Sequence, residues 1–331
     1  SWQCGLVCWL LAGCQAPPPL PNLELVRRSQ PLLGTFVTIS AYGRDHDSVQ
    51  RAISAAFEEF HRIDALMSLH RADSELNRVN RDGGQAQVAL SEDLYHVIAK
   101  AQDIAEQTDG AFDITIAPLA ELWGFIQKEY RLPTDAELQA VLPRVDYHLV
   151  ELGNPGRTIR FLRPGVSLDL GGIAKGFAVD CAIERLQALG ITIAMVKAGG
   201  DVRVIGCPPG RENWEIQLED PRKEGRRHLI PLRDGALSTS GNYENYFVVQ
   251  GRRYSHILNP HTGLPVQGMA DCTVIAPTCM ESDAWATACF VFGAQRSLAS
   301  FGHLFPMRFR LTSDKNAHEW TVLQTPSFPK R

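Results

Sequence analysis

Residues 166–176 read Val-Ser-Leu-Asp-Leu-Gly-Gly-Ile-Ala-Lys-Gly. We predict a strand over 166–170 that breaks at the two glycines, followed by a helix over 174–189 that ends at Gly190. Such a strand, glycine turn and helix start would expose backbone N–H groups to an anion, with Lys175 beside them. The alternative is a tight turn that needs glycine only for close packing.

The spacing of these glycines excludes two well-known nucleotide sites. It matches neither G-x-G-x-x-G nor G-x-x-x-x-G-K-[ST], which mark the dinucleotide-binding and Walker loops. A small-anion site of another kind remains open.

Other segments predict a mixture of strands and helices. Helices are predicted over 47–67, 91–108 and 282–292, the last followed by a further helix. Strands are predicted over 32–42, 193–197, 202–205, 214–218, 247–249, 273–275 and 309–311. Since strands and helices follow no regular βαβ order, we expect an α+β fold with mixed or antiparallel sheets and packed helices. We find no linker or internal repeat within 30–331, so we expect one compact catalytic domain.

Composition excludes several classes of protein. Of the 331 residues, 44% are hydrophobic and 21% charged, which is typical of a globular chain and excludes disorder. The net charge is −4, so the chain has no basic surplus for sequence-independent binding of nucleic acid.

The first residues resemble a lipoprotein signal. The apolar run over 5–12 is too short to span a bilayer and ends in Leu11-Ala12-Gly13-Cys14, which resembles the lipobox of bacterial lipoproteins. We therefore predict a signal-peptide remnant over 1–13, then a lipidated Cys14 and a proline-rich tether over 14–29. A buried strand with an incidental cysteine is the alternative. No Met or basic region precedes the run, so we expect further residues upstream.

The remaining cysteines do not indicate a metal or redox site. They are Cys181, Cys207, Cys272, Cys279 and Cys289. None has C-x-x-C spacing, which argues against structural zinc or a redox dithiol. Most are expected to be buried small hydrophobes, and the odd number leaves at least one thiol free unless it pairs between chains.

Two turns carry candidate catalytic groups. In Ala198-Gly199-Gly200-Asp201, the glycines would let a ligand approach the backbone while Asp201 binds a hydroxyl or an N–H group; a plain hairpin turn is the alternative. The segment 255–263, Ser-His-Ile-Leu-Asn-Pro-His-Thr-Gly, holds His256 and His261, and histidine suits proton transfer near neutral pH. No carboxylate or cysteine at ligand spacing supports a metal there, and a structural histidine is the alternative.

A helical pair is the candidate metal site. Asp283 and Thr287 are one turn apart on a predicted helix, so both point the same way. A carboxylate, a hydroxyl and nearby carbonyls are ligands that suit Mg²⁺. Alternatively, Asp283 is an acid favoured by the helix dipole and Thr287 bonds back to a carbonyl.

Together these segments resemble the ApbE family of FAD:protein FMN transferases, which are often periplasmic lipoproteins. The resemblance spans about 30–310, with the family's motifs in order at 33–35, 112–118, 122–125, 169–180, 198–201, 238–241, 255–263 and 283–287. It implies a single ApbE-like, T-fold-like α+β domain around one FAD site. The implied reaction is Mg²⁺-dependent transfer of FMN from FAD to a Thr or Ser hydroxyl of a target flavoprotein, with release of AMP.

The resemblance also implies roles for individual residues. His256 would be the base that activates the acceptor hydroxyl, and Mg²⁺ would be held by Asp283, Thr287 and the carbonyls of Ala174 and Ala286. The implied FAD contacts are Leu33, His70, Ala111, Phe112, Asp113, Gly171, Lys175, Phe177, Asp201 and Ile257. The family usually has Met where Leu33 stands and an aromatic residue where His70 stands; the first exchange keeps an apolar contact, whereas the second loses stacking area.

The implied partners are FAD and an acceptor such as a subunit of a Na⁺-pumping quinone reductase or an Rnf-type complex, with no nucleic acid. The implied location is the bacterial cell envelope, as a periplasm-facing lipoprotein anchored to the inner or outer membrane. Two other functions would fit the same residues: a Mg²⁺-dependent FAD pyrophosphatase that yields FMN and AMP, and a lipid-anchored flavin-binding protein without turnover.

Overall fold

The computed structural model describes residues 23–218, 228–313 and 316–329. The predicted signal remnant, Cys14 and the prolines of the tether lie outside these residues. None of the helices within the described ranges is long and apolar enough to cross a membrane.

Strands supply the central layer. In chain order they are β1 (Glu24–Leu32), β2 (Thr35–Gly43), β3 (Val88–Ala89), β4 (Val150–Gly153), β5 (Thr158–Phe161), β6 (Ala194–Ala198), β7 (Asp201–Ile205), β8 (Trp214–Leu218), β9 (His228–Leu232), β10 (Gly235–Gly241), β11 (Tyr246–Val249), β12 (Arg252–Ser255), β13 (Met269–Ala276), β14 (Met307–Ser313) and β15 (Asn316–Gln324). The largest sheet has eight antiparallel strands in the order β1-β2-β6-β7-β10-β13-β14-β15.

Helices cover one face of this sheet. They are α1 (His46–Met67), α2 (Glu75–Asp82), α3 (Glu92–Gln107), α4 (Ala117–Leu122), α5 (Asp135–Val141), α6 (Ala174–Ala188), α7 (Cys279–Phe292) and α8 (Ala294–Phe301). The apolar stripe of α1 and nearly all of α7 are buried with the inward residues of β2, β6 and β13. The observed α+β fold and the single domain confirm the sequence prediction.

The other face of the sheet has its own core. The β8–β9 hairpin packs Trp214 and Ile230 against Val202 and Val204 of β7. Alternate residues of one strand therefore serve two cores, as the period of two in a β-strand requires. Because both faces are covered, the ends of the central strands form the accessible rim of the domain.

The predicted strand over 166–170 is wrong. This segment is irregular, because its backbone groups bond to a side chain and to a 3₁₀ turn instead of a neighbouring strand. Asn80 of α2 donates to the Leu168 carbonyl over 2.9 Å and accepts from the Leu168 N–H over 2.7 Å. The Asp169 N–H donates to the Ile114 carbonyl over 2.8 Å.

The predicted boundary between tether and domain at residue 30 is also wrong. Strand β1 begins at Glu24 and pairs with β2 along its whole length. Only Val26 of β1 is buried, because β1 is an edge strand of the sheet, so the segment carries little apolar pattern.

Candidate active site

Two adjoining cavities meet at the start of α6. The inner cleft occupies about 920 Å³, including space open to solvent, and its lining includes Phe112, Asp201, Ile257 and Thr287. The outer groove runs between the β1–β2 turn at Leu33, the segment after α1 at His70, and the loop at Phe125. Both cavities share the four residues Asp169, Gly171, Lys175 and His256.

Two of the amides around the start of α6 are already bonded to carboxylates of the chain. The Gly171 N–H donates to Oδ1 of Asp169 over 2.7 Å, and the Gly176 N–H donates to Oδ2 of Asp283 over 3.0 Å. The predicted anion site at this turn is therefore narrowed to Gly172, which lines the inner cleft. Lys175 remains as the cation of this turn, and its Nζ donates to the Gly171 carbonyl over 2.9 Å.

Helices α6 and α7 cap each other. Asp283 of α7 accepts from the first turn of α6, while Asp180 of α6 accepts from the Cys279 and Met280 N–H groups at the start of α7, each over 2.8 Å. Asp283 thus serves the N-terminus of the neighbouring helix and not that of its own. This exchange fixes Asp283 beside Lys175.

Gly176 makes this close approach of the helices possible. A Cβ at this position would lie 2.3 Å from the Cys279 carbonyl oxygen and 2.8 Å from Cβ of Asp283. Such distances leave no room for a methyl group, so the glycine is required by packing.

We expect Gly176→Ala to lower the melting temperature by about 2–10 °C, because overpacking costs about 1–3 kcal/mol. Gly84→Ala is the matched control, since a Cβ there meets open space. Thermal unfolding followed by circular dichroism measures both. Equal melting temperatures of the two variants would contradict the proposed clash.

Lys175 is the centre of a compact charged cluster. Its Nζ lies 3.5 Å from Oδ2 of Asp201 and 3.7 Å from Oδ2 of Asp283, and both carboxylates are buried. Burial lowers the pKa of Lys175, but Asp283, Asp201 and Glu244 outweigh it and raise that pKa above its ordinary value. Burial and the charge of Asp201 raise the pKa of Asp283 to about 7, against the opposing effect of Lys175.

This cluster has more negative than positive charge, which suits a divalent cation. Thr287 shares the inner cleft with Asp283, as the helical spacing predicts, and its Oγ1 lies 3.0 Å from Oγ of Ser240. The Asp283 carboxylate, whose charge Lys175 shares with Asp201, and the hydroxyls of Thr287 and Ser240 are hard oxygen donors of the kind that Mg²⁺ binds. Within the described residues, no three His, Cys, Asp or Glu side chains form a metal cluster, so such a site would need hydroxyl, carbonyl and substrate oxygens.

The two predicted carbonyl ligands belong to α6 and α7, the helices that carry Lys175 and Asp283. Ala174 is the first residue of α6 and lines the outer groove. Ala286 is fully buried on α7 directly before Thr287. Their roles as ligands stay predictions.

His256 has a neutral imidazole. Its Nδ1 lies 3.0 Å from the Asn245 carbonyl oxygen, which can only accept, so Nδ1 carries the proton and Nε2 has the free lone pair. Burial, together with the charge of Lys175, lowers the pKa of His256 to about 4, against the opposing effect of the bond to Asn245. The imidazole is therefore neutral at physiological pH and lies where the two cavities join.

His261 has a structural role. Its Nε2 bonds to the Asp109 carbonyl over 2.8 Å, at a turn where Asp109 and Gly110 both have positive φ. Trp123 similarly donates from Nε1 to the Gly263 carbonyl over 2.8 Å and so holds the end of the same segment. These bonds fix the segment that carries His256.

The structure brings most predicted flavin contacts to the two cavities. Leu33 and His70 line the outer groove, whereas Ala111, Phe112, Asp113, Asp201 and Ile257 line the inner cleft. Gly171 and Lys175 line both. Burial raises the pKa of Asp113 to about 6, although its bonds from the Thr115 hydroxyl and N–H lower it.

Phe177 is the exception. Its side chain points away from these cavities and lines a separate one with His96 of α3, their ring centroids 6.0 Å apart. Two residues after Lys175 on a helix, a side chain faces a different direction, so the structure does not bring the Phe177 side chain to the other predicted flavin contacts.

Sequence reasoning missed three residues of the site. Ser240 belongs to the family motif at 238–241 but was given no role of its own, and no sequence pattern indicates Glu244 or Asn245. Asn245 contributes its backbone carbonyl, which a residue of any type could supply. Glu244 contributes a negative charge that raises the pKa of Lys175. Ser240 could have been found from its position on β10, facing α7.

Comparison with known sequences agrees with this geometry. Residues 33–306 match the ApbE family. A Vibrio cholerae protein named FAD:protein FMN transferase is 36% identical over 302 residues, which cover 88% of this chain and 86% of that protein. A Treponema pallidum protein of the same name is 30% identical over 316 residues, or 90% and 87% of the two chains.

Solved structures share the fold. The ApbE protein from Thermotoga maritima has a TM-score of 0.85 and 33% identity, covering 92% of this chain and 98% of that one. Flavin transferase ApbE from Vibrio cholerae has a TM-score of 0.81 and 31% identity, covering 93% and 99%. The similarity therefore extends over nearly the whole described domain.

Proposed function

The chain belongs to the ApbE family, and on that premise we propose that it transfers FMN from FAD to a Thr or Ser hydroxyl of a target flavoprotein, releasing AMP. It is an enzyme, a flavin transferase. We propose in addition that the reaction uses Mg²⁺, that the acceptor is a hydroxyl group and that AMP is the second product.

One observation carries this proposal: a neutral histidine with a free Nε2 lies in the same cleft as Lys175 and two buried carboxylates. A hydroxyl is a poor nucleophile until a base takes its proton, and His256 is uncharged and oriented for that task. A pyrophosphate is the kind of substrate that needs positive charge beside it, which Lys175 supplies.

The reaction balances as a substitution at phosphorus. The acceptor oxygen forms a bond to the phosphorus of the FMN half, and its proton passes to Nε2 of His256. The bond from this phosphorus to the oxygen bridging the two halves breaks, and AMP leaves with that electron pair. Asn245 keeps Nδ1 bonded throughout, so the imidazolium that forms donates to its carbonyl and then loses the new proton to solvent.

Asp283, Thr287 and the carbonyls of Ala174 and Ala286 would hold Mg²⁺, beside the Ser240 hydroxyl. The ion would offset negative charge on the pyrophosphate oxygens. Lys175 donates to the Gly171 carbonyl and lies between Asp201 and Asp283, which direct its Nζ toward the cleft. Its position is therefore preorganised for the developing charge.

The decisive experiment compares water with a hydroxyl as acceptor. The protein is incubated with FAD, Mg²⁺ and an acceptor flavoprotein, then denatured and run on a gel. We expect flavin fluorescence on the acceptor band and an equal amount of AMP. AMP and free FMN without a fluorescent band would instead indicate an FAD pyrophosphatase, and no AMP a flavin-binding protein.

The acceptor and the location are further proposals. We propose that the acceptor is a subunit of a Na⁺-pumping quinone reductase or an Rnf-type complex, as is implied by the family resemblance. We also propose a periplasm-facing lipoprotein, supported by the lipobox-like tetrad at residues 11–14 and the prolines after it.

If Cys14 is acylated, the full precursor should partition with membranes, and Cys14→Ser should release it while FAD turnover continues. Several acyl chains are needed for lasting attachment, because a single one binds only marginally. Fractionation of cells that express each form measures this. Equal solubility of the two forms would contradict the anchor.

A further inference from the structure

The β11–β12 hairpin leads directly into His256 and carries an unpaired edge. It is a two-stranded sheet that pairs with no other described strand. Its turn, Gln250 and Gly251, has positive φ at both residues, which fixes a tight two-residue hairpin. The hairpin is thus a short rigid arm that ends at the base.

The hydrogen-bond pattern shows which edge is open. The His256 N–H donates to the Asn245 carbonyl over 3.0 Å, so these two residues form a bonded pair. Bonded pairs alternate along an antiparallel ladder, so Tyr246 and Val248 direct their N–H and C=O groups to the opposite side. Across the described parts of the chain, no backbone group bonds to these outward groups.

Side chains on this arm are exposed and basic. Tyr246 and Val248 are 39% and 56% exposed. Residues 246–255 include Arg252 and Arg253 and no acid, in a chain whose net charge is −4. The Arg253 guanidinium lies 4.2 Å from the Tyr246 ring centroid, which holds its charge beside the open edge.

The inner face of the arm is rigid. Phe247 stacks on Tyr130 with centroids 5.2 Å apart and on Tyr254 at 5.4 Å, and the Tyr130 hydroxyl lies 3.1 Å from Oδ1 of Asn245. The edge is therefore held in fixed register with the residue that orients His256. A rigid edge suits strand addition, since little order must be gained on binding.

We propose that the acceptor flavoprotein docks an extended, acidic segment as an added strand along the β11 edge, with its carboxylates facing Arg253. This inference rests on the proposed function. Val248 and Asn245 are three residues apart, which corresponds to about 10 Å along the strand. A Thr or Ser a few residues beyond the paired segment would then reach Nε2 of His256.

The test is a library of nine-residue peptides with a fixed central Thr and random flanks, incubated with FAD, Mg²⁺ and the full chain. Fluorescent products are isolated and sequenced. We expect Asp and Glu to be enriched on one side of the Thr. Labelled peptides whose flanking residues show no preference would overturn this inference and leave the proposed function intact. If neither a peptide nor an acceptor protein is labelled, the proposed function itself is overturned.

Two variants separate the edge from the side chain. Val248→Pro removes the outward N–H without breaking a ladder bond, whereas Val248→Thr keeps that N–H and the branched shape. We expect kcat/KM for a selected peptide to fall about 5-fold in the first and little in the second, which corresponds to one lost hydrogen bond of about 1 kcal/mol. Equal values in two folded variants would overturn strand addition.

The contribution of charge is tested with a separate variant, so this test can be made even if Val248→Pro does not fold. Arg253→Glu should lose the preference for acidic peptides, while Arg27→Glu, at an exposed arginine on β1, should keep it. Both variants are also sedimented with phosphatidylglycerol vesicles. If Arg253→Glu loses vesicle binding but keeps the peptide preference, the surface serves a membrane and the inference is wrong.

Discussion

His256→Ala should slow FMN transfer about 10²–10⁴-fold while FAD still binds, because a general base typically contributes that factor. The imidazole is neutral, its Nδ1 is bonded to the Asn245 carbonyl, and its Nε2 is free. Flavin fluorescence on an acceptor that carries its target Thr gives the rate, and FAD titration gives the affinity.

A matched variant distinguishes a base from a structural histidine. His261→Ala removes a histidine five residues later that bonds to the Asp109 carbonyl, so it should lower the melting temperature with little direct effect on the transfer step. His256→Ala should show the opposite pattern. A stable His256→Ala protein that binds FAD and transfers FMN at the parental rate would refute the base assignment, and Asp201 would become the better candidate.

The longer helices were predictable because their signals are local, whereas the short helices α2, α4 and α5 were not predicted. The Ser91 hydroxyl accepts from the Leu94 N–H, so α3 begins where its cap is predicted, and α1 begins one residue before its predicted start, after Asp45, which accepts from the Ser48 N–H. Helix α6 ends one residue before the predicted end, and Leu189 takes the cap position before Gly190. Period and capping are properties of neighbouring residues, which a single sequence displays.

The failed strand at 166–170 shows what local patterns miss. Its apolar residues Val166, Leu168 and Leu170 are all buried, as in a strand. What replaces the strand ladder is the amide of Asn80, 88 residues earlier. Burial pattern alone does not reveal which partner satisfies the backbone.

The candidate site likewise combines features that the sequence predicts with features that only the fold creates. The spacing of Asp283 and Thr287 predicted their shared direction, and both line the inner cleft. The exchange of caps between α6 and α7 depends on Gly176 and Asp180, and no spacing within either helix signals it. Lys175 lies between Asp201 and Asp283 only because the sheet brings the β6–β7 turn to the start of α6.

Asp283→Ala should be the most damaging change to the metal site. We expect the Mg²⁺ concentration for half-maximal transfer to rise about 100-fold or more, because the variant removes the sole anionic ligand of the proposed set. EDTA should abolish activity and Mg²⁺ should restore it in the parent. Thr287→Val removes a neutral ligand and should have a smaller effect.

The pH dependence gives this prediction a second readout. Burial and Asp201 raise the pKa of Asp283 to about 7, so below that pH a proton competes with the metal for the carboxylate. The Mg²⁺ requirement of the parent should therefore rise by up to about 10-fold for each pH unit below 7. Asp283→Asn can still accept from the Gly176 N–H but has no charge to titrate, so it should need more Mg²⁺ at every pH without that slope. If Asp283→Ala stays active at ordinary Mg²⁺ concentrations, or Asp283→Asn keeps the parental slope, Asp283 is not the ligand, and the buried carboxylate serves Lys175 and the cap of α6 alone.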